Sequence, residues 1–282
     1  MNYRHAFHAG NFADVLKHAV LARILAHLSL KDAPFRVIDT HAGIGLYDLA
    51  GEEAEKTGEW RGGIGRVRAA DLQDEAREIL APYFDALSAV AAHHGASAYP
   101  GSPLIAQHLT RADDRLIFIE KHPADVVTLE LAIGRDARAK VIRLDGWTAL
   151  NAYVPPKERR GLVLVDPPFE ERDEFDRMVA ALVRAHRKWS SGLFALWYPL
   201  KNVADTRAFI KALRAAGISK ILRIELSVRQ EVEGGPLAGS GMVVVNPPWS
   251  LEDDMRRLLP ALVAILRQDR GAGWLVEWIR SE

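Results

Sequence analysis

Four short apolar runs in this chain each stop at an acid, and segments with helical periodicity lie between them. Phe35–Ile38 ends at Asp39, Leu116–Ile119 at Glu120, Val141–Leu144 at Asp145 and Leu162–Val165 at Asp166. Runs of this length read as buried strands, and strands alternating with helices argue for a parallel, doubly wound sheet. Parallel strands all end on one side of their sheet. The pattern therefore sends the four carboxylates toward one crevice, where open α/β sheets bind ligands. A packed core gives no reason for four such acids. A nucleoside-containing cofactor does, because ribose hydroxyls, an exocyclic amine and a cationic centre all need acceptors.

The fourth run continues as Asp166-Pro167-Pro168-Phe169. A strand cannot continue through two residues that lack an N–H, so the prolines impose a stiff turn just past its carboxyl end. That turn offers a carboxylate, backbone carbonyls and a flat aromatic face, which together suit an exocyclic amino group on a planar base. The sequence Asn246-Pro247-Pro248-Trp249 has the same shape but follows the last strand pair, and its place in the chain order makes it a structural turn. After the first run comes the glycine-rich Asp39-Thr40-His41-Ala42-Gly43-Ile44-Gly45, where two glycines would let backbone approach a ligand closely. Glu120 is placed to accept ribose hydroxyls, as in dinucleotide folds, and Asp145-Gly146 to hold an adenine amine. The plainer alternatives are a surface acid paired with Lys121 and a simple turn. Trp197-Tyr198-Pro199 reads either as core or as the lining of a base pocket.

About half of the 282 residues are hydrophobic, which suits one large α/β domain over 1–282. Its amino-terminal tail and helix occupy 1–30, the helix running from about Asn11 to Ser29. A charged stretch from about 50 to 98, with Gly62-Gly63 and a helical run from Asp71 to His93, reads as a helical insertion. Ile221–Leu226 and Gly241–Val245 are joined without a helix and read as an antiparallel pair at the sheet edge, the second closing the sheet. The absence of cysteine excludes disulfides, thiolate catalysis and Cys-based zinc sites. His5, His8, His18 and His27, with only Asp14 near ligand spacing, read as surface or hydrogen-bonded groups and not as zinc ligands. Basic and acidic residues balance at 37 each, and the basic clusters at 135–143, 157–160 and 184–188 read as solvated faces. Nothing resembles a signal peptide or a bilayer-spanning run, so a soluble, cytoplasmic protein is expected.

The Asp-Pro-Pro-aromatic turn is similar to the signature of S-adenosylmethionine-dependent amino-methyltransferases. Further blocks point the same way: 3–11 with 13–18, Asp39-Thr40-His41-Ala42-Gly43, 99–105, Ala195-Leu196-Trp197-Tyr198-Pro199 and Asn246-Pro247-Pro248-Trp249. On these the chain resembles, nearly end to end, the bacterial adenine-N6 methyltransferases that act alone on 23S ribosomal RNA. The resemblance implies a Rossmann-like class I methyltransferase: a mixed, mostly parallel sheet with helices on both faces and a helical insertion. It implies that Lys17, His18, His41, Ser102, Glu120, Asp145, Gly146 and Asp166 line the S-adenosylmethionine site, with Asp166 catalytic. It further implies that Tyr3, Pro167 and Phe169 meet the RNA, that the insertion helps grip it, and that the protein works as a monomer without membrane or obligate protein partner. One departure stands out: the family's catalytic turn usually ends in tyrosine, and here it ends in Phe169. Asp-Pro-Pro-Phe also occurs in guanine-N2 rRNA methyltransferases. The rivals are such an enzyme, a DNA adenine methyltransferase, or a non-catalytic RNA-binding module. A nicotinamide-dependent oxidoreductase would need Gly-x-Gly-x-x-Gly, and 43–48 lacks the third glycine.

Overall fold

Alternate residues of the apolar runs face opposite sides of one sheet, and both sides are covered by helices. A computed structural model of the chain describes residues 4–281; Tyr3, expected to touch RNA, lies outside them. In chain order the elements begin with α1 (Phe12–Leu28), β1 (Arg36–Asp39), β2 (Leu46–Asp48), α2 (Glu52–Thr57), α3 (Glu59–Gly62) and α4 (Ile64–Ala69). Next come α5 (Asp74–His94), β3 (Ala98–Pro100), α6 (Ser102–Leu109), β4 (Arg115–Glu120), α7 (Pro123–Ile133), β5 (Ala139–Arg143) and α8 (Gly146–Ala152). The rest are β6 (Gly161–Val165), α9 (Glu174–Lys188), β7 (Leu193–Leu200), α10 (Val203–Ala215), β8 (Ile221–Ser227), β9 (Gly239–Val245), α11 (Leu251–Leu266) and β10 (Gly273–Arg280).

The main sheet has eight strands in the order β10-β8-β9-β7-β6-β1-β4-β5. β5, β4, β1, β6 and β7 are parallel, and β9 runs antiparallel to both β7 and β8. From β1 the chain builds outward through β4 and β5, then crosses back to lay β6 on the other side of β1. That reversal makes the carboxyl ends of β1, β4 and β6 a topological switch point, where a crevice must open. Among the described residues no helix is long and apolar enough to cross a membrane.

The two faces explain the unbroken apolar runs. Val37, Leu162 and Leu164 pack into one core with α1, α5, α6 and α11. Their neighbours Ile38, Val163 and Val165 pack into another with α8, α9 and α10. Between β1 and β4 the chain makes the antiparallel β2–β3 ribbon and the helices α2 to α5.

At the other end of the sheet the expected arrangement is corrected. β8 and β9 are an antiparallel pair, but β9 lies inside the sheet between β7 and β8, and the edge strand is β10. Its alternation is blurred, because Trp274 and Trp278 are partly exposed and Glu277 and Arg280 sit beside them. A half-covered edge strand carries a weaker period than a buried one.

Several basic residues read as solvated prove to be structural. The Arg138 guanidinium pairs with Asp136 at 2.7 Å and donates to the Gln107 carbonyl at 2.9 Å, closing the end of α6. Arg160 donates to the Ala33 carbonyl at 2.6 Å. Asp114 plays the complementary part at the start of the central strands. Fully buried, it accepts from the Phe35 N–H at 3.0 Å and from the Arg111 N–H and guanidinium at 2.8 and 3.0 Å. Asp114→Ala strands the Phe35 donor inside the protein and is expected to cost about 1–3 kcal/mol or more. Urea unfolding checks this, with Asp114→Asn retaining part of the stability because its amide oxygen still accepts.

Candidate active site

α1 is apolar almost throughout, yet it buries three polar side chains on one face: Asp14, Lys17 and His18. Their i, i+3, i+4 spacing stacks them over successive turns. Buried charges need partners, and these have them. The Lys17 ammonium lies 2.8 Å from Asp14 Oδ1 and 2.6 Å from Asp166 Oδ2, joining α1 to the turn after β6. Burial opposes the charge on Lys17, but the two carboxylates outweigh it and hold the ammonium well above its ordinary range. Burial likewise opposes the charge on Asp14, and His5, Lys17 and His18 together drive its carboxyl well below the usual range. Asp14 Oδ2 also accepts from His5 Nε2 at 3.0 Å and the Gly10 N–H at 2.9 Å. Glu59 of α3 accepts from Asn11 Nδ2 and meets His8 Nδ1, each at 3.0 Å. The leading histidines thus anchor the amino-terminal block to α1 and to the insertion.

His18 is fully buried, with Nδ1 2.9 Å from the Tyr99 hydroxyl and Nε2 without a hydrogen-bond partner, 3.9 Å from Asp14 Oδ1. Burial pushes its pKa down to about 3, so the ring is neutral. His41 is likewise lowered by burial, to about 4. Thr40 Oγ1 donates to the Leu164 carbonyl at 3.0 Å and must therefore accept from His41 Nδ1 at 2.9 Å. That assignment leaves His41 Nε2 as an acceptor.

The strand-end acids divide into two kinds. Glu120, Asp145 and Asp166 line one cavity of about 1190 Å³, and so do Lys17, His18, His41, Ser102, Gly146, Pro167 and Phe169. Asp39 does not face it as expected: it is buried behind Ser102, whose hydroxyl donates to Asp39 Oδ2 at 2.6 Å, while Oδ1 accepts from the His41 N–H at 3.2 Å. Burial raises its pKa to about 6. Its task is to brace the loop from behind. Glu120 receives the Gly43 N–H on Oε2 at 3.0 Å and the His122 N–H on Oε1 at 2.8 Å, so it fixes the same loop from the cavity side. Gly43 has the left-handed φ of +61° that this loop requires. Gly45, also left-handed at φ +77°, differs from expectation in not lining the cavity: a Cβ there would meet Leu129 of α7 at 2.8 Å, so that glycine also serves helix packing.

Asp145 caps α8 by accepting from the Thr148 N–H at 3.1 Å, and Lys121 Nζ lies 3.4 Å from its other oxygen. Burial opposes its charge, but the Thr148 N–H and Lys121 hold the carboxyl below its usual range. A Cβ on Gly146 would lie 2.4 Å from the Thr40 carbonyl and 2.6 Å from His41 Nε2. Only glycine fits there.

In the turn after β6 Phe169 has φ +52°, a conformation that costs a bulky residue about 1–3 kcal/mol. Its ring is held by Phe175 of α9, centroids 4.8 Å apart, and by Trp197 of β7 at 5.7 Å. Trp197 and Pro199 line the cavity, whereas Tyr198 between them faces the opposite core and donates to Glu225 at 2.6 Å. Sequence reasoning assigned no role to Asp14, although its spacing from Lys17 and His18 on an apolar helix was a usable signal. It also missed Glu174, which receives the Trp147 Nε1–H at 3.1 Å beside His41; nothing local marks that pair. Asn246 lies elsewhere. β9 is antiparallel to β7, so its carboxyl end is at the opposite side of the sheet from Asp166, and Asn246 Nδ2 donates to the Ser190 and Gly192 carbonyls at 2.9 and 2.8 Å.

These donors and acceptors fit a cationic nucleoside: acids and a bare imidazole nitrogen around a glycine loop, and the orphaned His18 Nε2 as a further polar contact. The volume exceeds that of most small-molecule pockets, leaving room for a second planar group. Gly146→Ala is expected to displace the 40–41 backbone and abolish ligand binding at this end, read by calorimetric titration with S-adenosylhomocysteine. The lowered pKa of His18 has a definite sign. Below about pH 6.5 the unfolded chain binds a proton that the folded chain refuses, so stability falls as pH falls toward 3. His18→Gln should flatten that slope in urea unfolding measured from neutral to acid pH.

Comparison with known proteins agrees with this geometry. The family model described as "Ribosomal RNA large subunit methyltransferase D, RlmJ" matches residues 32–280. A protein of Haemophilus influenzae named "Ribosomal RNA large subunit methyltransferase J" is 43% identical, with all of both chains covered. One of the same name from Escherichia coli is 41% identical, again over the whole of both. The crystal structure of a Legionella pneumophila protein, 33% identical, superposes with a TM-score of 0.86 over 96% of this chain and 98% of that one. The strand-end acids, the glycine loop and the Asp166 turn thus stand in a chain that belongs to the RlmJ family of ribosomal RNA large subunit methyltransferases.

Proposed function

We propose that the protein methylates the N6 amine of one adenine in 23S ribosomal RNA, in the cytoplasm, using S-adenosylmethionine. The observation that carries this reading is one shared cavity. It is lined at once by the Gly43 loop, Glu120 and Asp145, and by the Asp166-Pro167-Pro168-Phe169 turn. Lys17, His18, His41, Ser102, Glu120, Asp145, Gly146 and Asp166 would hold the cofactor. When bound, S-adenosylmethionine supplies a methyl group activated by its sulfonium charge, and S-adenosylhomocysteine remains.

An adenine in a stacked strand cannot present N6, so the base must swing out. Asp166 and the Pro167 carbonyl then accept the two amine hydrogens, and Phe169 stacks on the ring. This fixes the plane of the base and the direction of the nitrogen lone pair, a positioning effect. The amine is too weak an acid to be deprotonated first. Asp166 therefore takes the proton as the N–C bond forms or afterwards. Lys17 at 2.6 Å holds the carboxylate in place through that step. The ring face needed for stacking is the same in phenylalanine and tyrosine, so Phe169 suits this role without a hydroxyl.

The test is methyl transfer from labelled S-adenosylmethionine to protein-free 23S rRNA, with nucleoside analysis. The wild type should yield N6-methyladenosine, and Asp166→Ala should lose about 10²–10⁴-fold in rate. Asn246→Ala should retain activity. Methylguanosine as product, or transfer to DNA alone, would overturn the substrate assignment.

A further inference from the structure

Glu120, Asp125 and Asp145 line the cavity around the Gly43 loop, with Lys121 and His122 beside them, and Glu170, Glu171 and Glu174 line it next to Phe169. A further group of lining residues, Trp197, Pro199, Lys201, Arg229, Leu237 and Gln268, carries two cations and no acid. Trp197, Pro199 and Lys201 alternate along and just past β7, so they share one face. The segments after β8 and α11 are pinned against that strand end. The Val228 N–H donates to the Ala238 carbonyl at 2.8 Å, the Ala238 N–H to Leu200 at 3.0 Å and the Gln268 N–H to Val228 at 2.6 Å. The nearby Asp269 is turned away, accepting from the Gln230 and Gly271 N–H groups at 3.0 and 2.7 Å.

Two donors in this group are buried and unpartnered: Arg229 Nε and Trp197 Nε1. Native proteins seldom leave such groups unsatisfied. These two nitrogens lack an acceptor, although another nitrogen of the Arg229 guanidinium donates to Gln268 Oε1, and Pro199, Leu237 and the exposed Lys201 line the cavity with them. The matching ligand is flat, apolar on its faces and anionic at its edge. Taking the chain as an RNA methyltransferase, we propose that this group forms a second nucleotide subsite. It holds the nucleotide next to the flipped adenine along the strand, its base against Pro199 and Leu237 and its phosphate on Lys201 and Arg229. Cationic grooves paired with apolar stacking surfaces are how proteins hold single-stranded nucleic acid. The Trp197 ring, 5.7 Å from Phe169, adjoins both subsites.

The experiment uses the full-length protein and protein-free 23S rRNA. KM for RNA, and binding across a potassium chloride series, are measured for wild type, Lys201→Gln, Arg229→Gln, the double variant and Arg187→Gln. Arg187, exposed on α9, is the control for lost charge alone. The double variant should raise KM roughly tenfold while keeping kcat, and lower the slope of log K against log salt by about 0.7 for each lost phosphate contact. S-adenosylhomocysteine affinity should be unchanged, and Arg229→Lys should recover the slope. A wild-type KM and slope in the double variant, or an equal effect of Arg187→Gln, would overturn the subsite while leaving methyl transfer standing. A wild-type protein that methylates no RNA would overturn the methyl-transfer reading and the subsite with it.

Discussion

A single ammonium group holds the site together. Lys17 is buried, and a buried charge is stable only when paired and hydrogen-bonded. Its two partners come from different layers: Asp14 from the same helix, and Asp166 from the turn that ends β6. Asp14 is held in turn by His5 and the Gly10 N–H, and Asn11 reaches Glu59 of the insertion. The amino-terminal block, α1, the insertion and the Asp166 turn are therefore coupled through one polar network. Removing Lys17 would take the shared cation from both Asp14 and Asp166. The network also fixes where the Asp166 carboxylate points, which a turn of two prolines cannot do alone.

Strand topology supplies the rest. The reversal between β1 and β6 opens the crevice, and the loops filling it meet one requirement each. Glu120 and Asp39 clamp the 39–43 loop from opposite sides, one toward the cavity and one behind it. Gly146 lets α8 begin against the Thr40 carbonyl. The Phe169 ring, carried on a left-handed backbone, is backed by Phe175 and Trp197 and lines the same cavity.

Much of this was legible in the residues, for identifiable reasons. The apolar runs marked β1, β4 and β6 because strands buried on both faces leave nearly unbroken hydrophobic segments, while the edge strand β5 showed only through Val141 and Ile142. The Asp166 turn was legible because proline acts locally, on its own backbone. The ten described residues that the resemblance implied for the site line one cavity, whereas Asp39, expected to face the same crevice, does not. What stayed hidden was relational. β10 escaped notice because a half-exposed edge strand has a blurred period. Arg138 and Arg160 looked solvated because their acceptors are carbonyls, which every residue carries and no sequence pattern marks. Asp39 looked like its three counterparts until Ser102, sixty-three positions away, proved to cover it.

The sequence alone therefore determined the alternation of strand and helix, the side of the sheet on which chemistry gathers, and the stiff turn at Asp166. Each follows from periodicity or from the covalent geometry of single residues, which needs no partner to be expressed. Only the tertiary structure decided which acids face the cavity and which brace it, how Lys17 is shared, and why the Asn246 turn, already set apart by chain order, lies away from the crevice. Asp166 and Asn246 sit in nearly the same local sequence. They part because β6 is parallel to β1, whereas β9 is inserted antiparallel beside β7. Strand direction in a sheet is set by long-range pairing, and a turn cannot carry that information within itself.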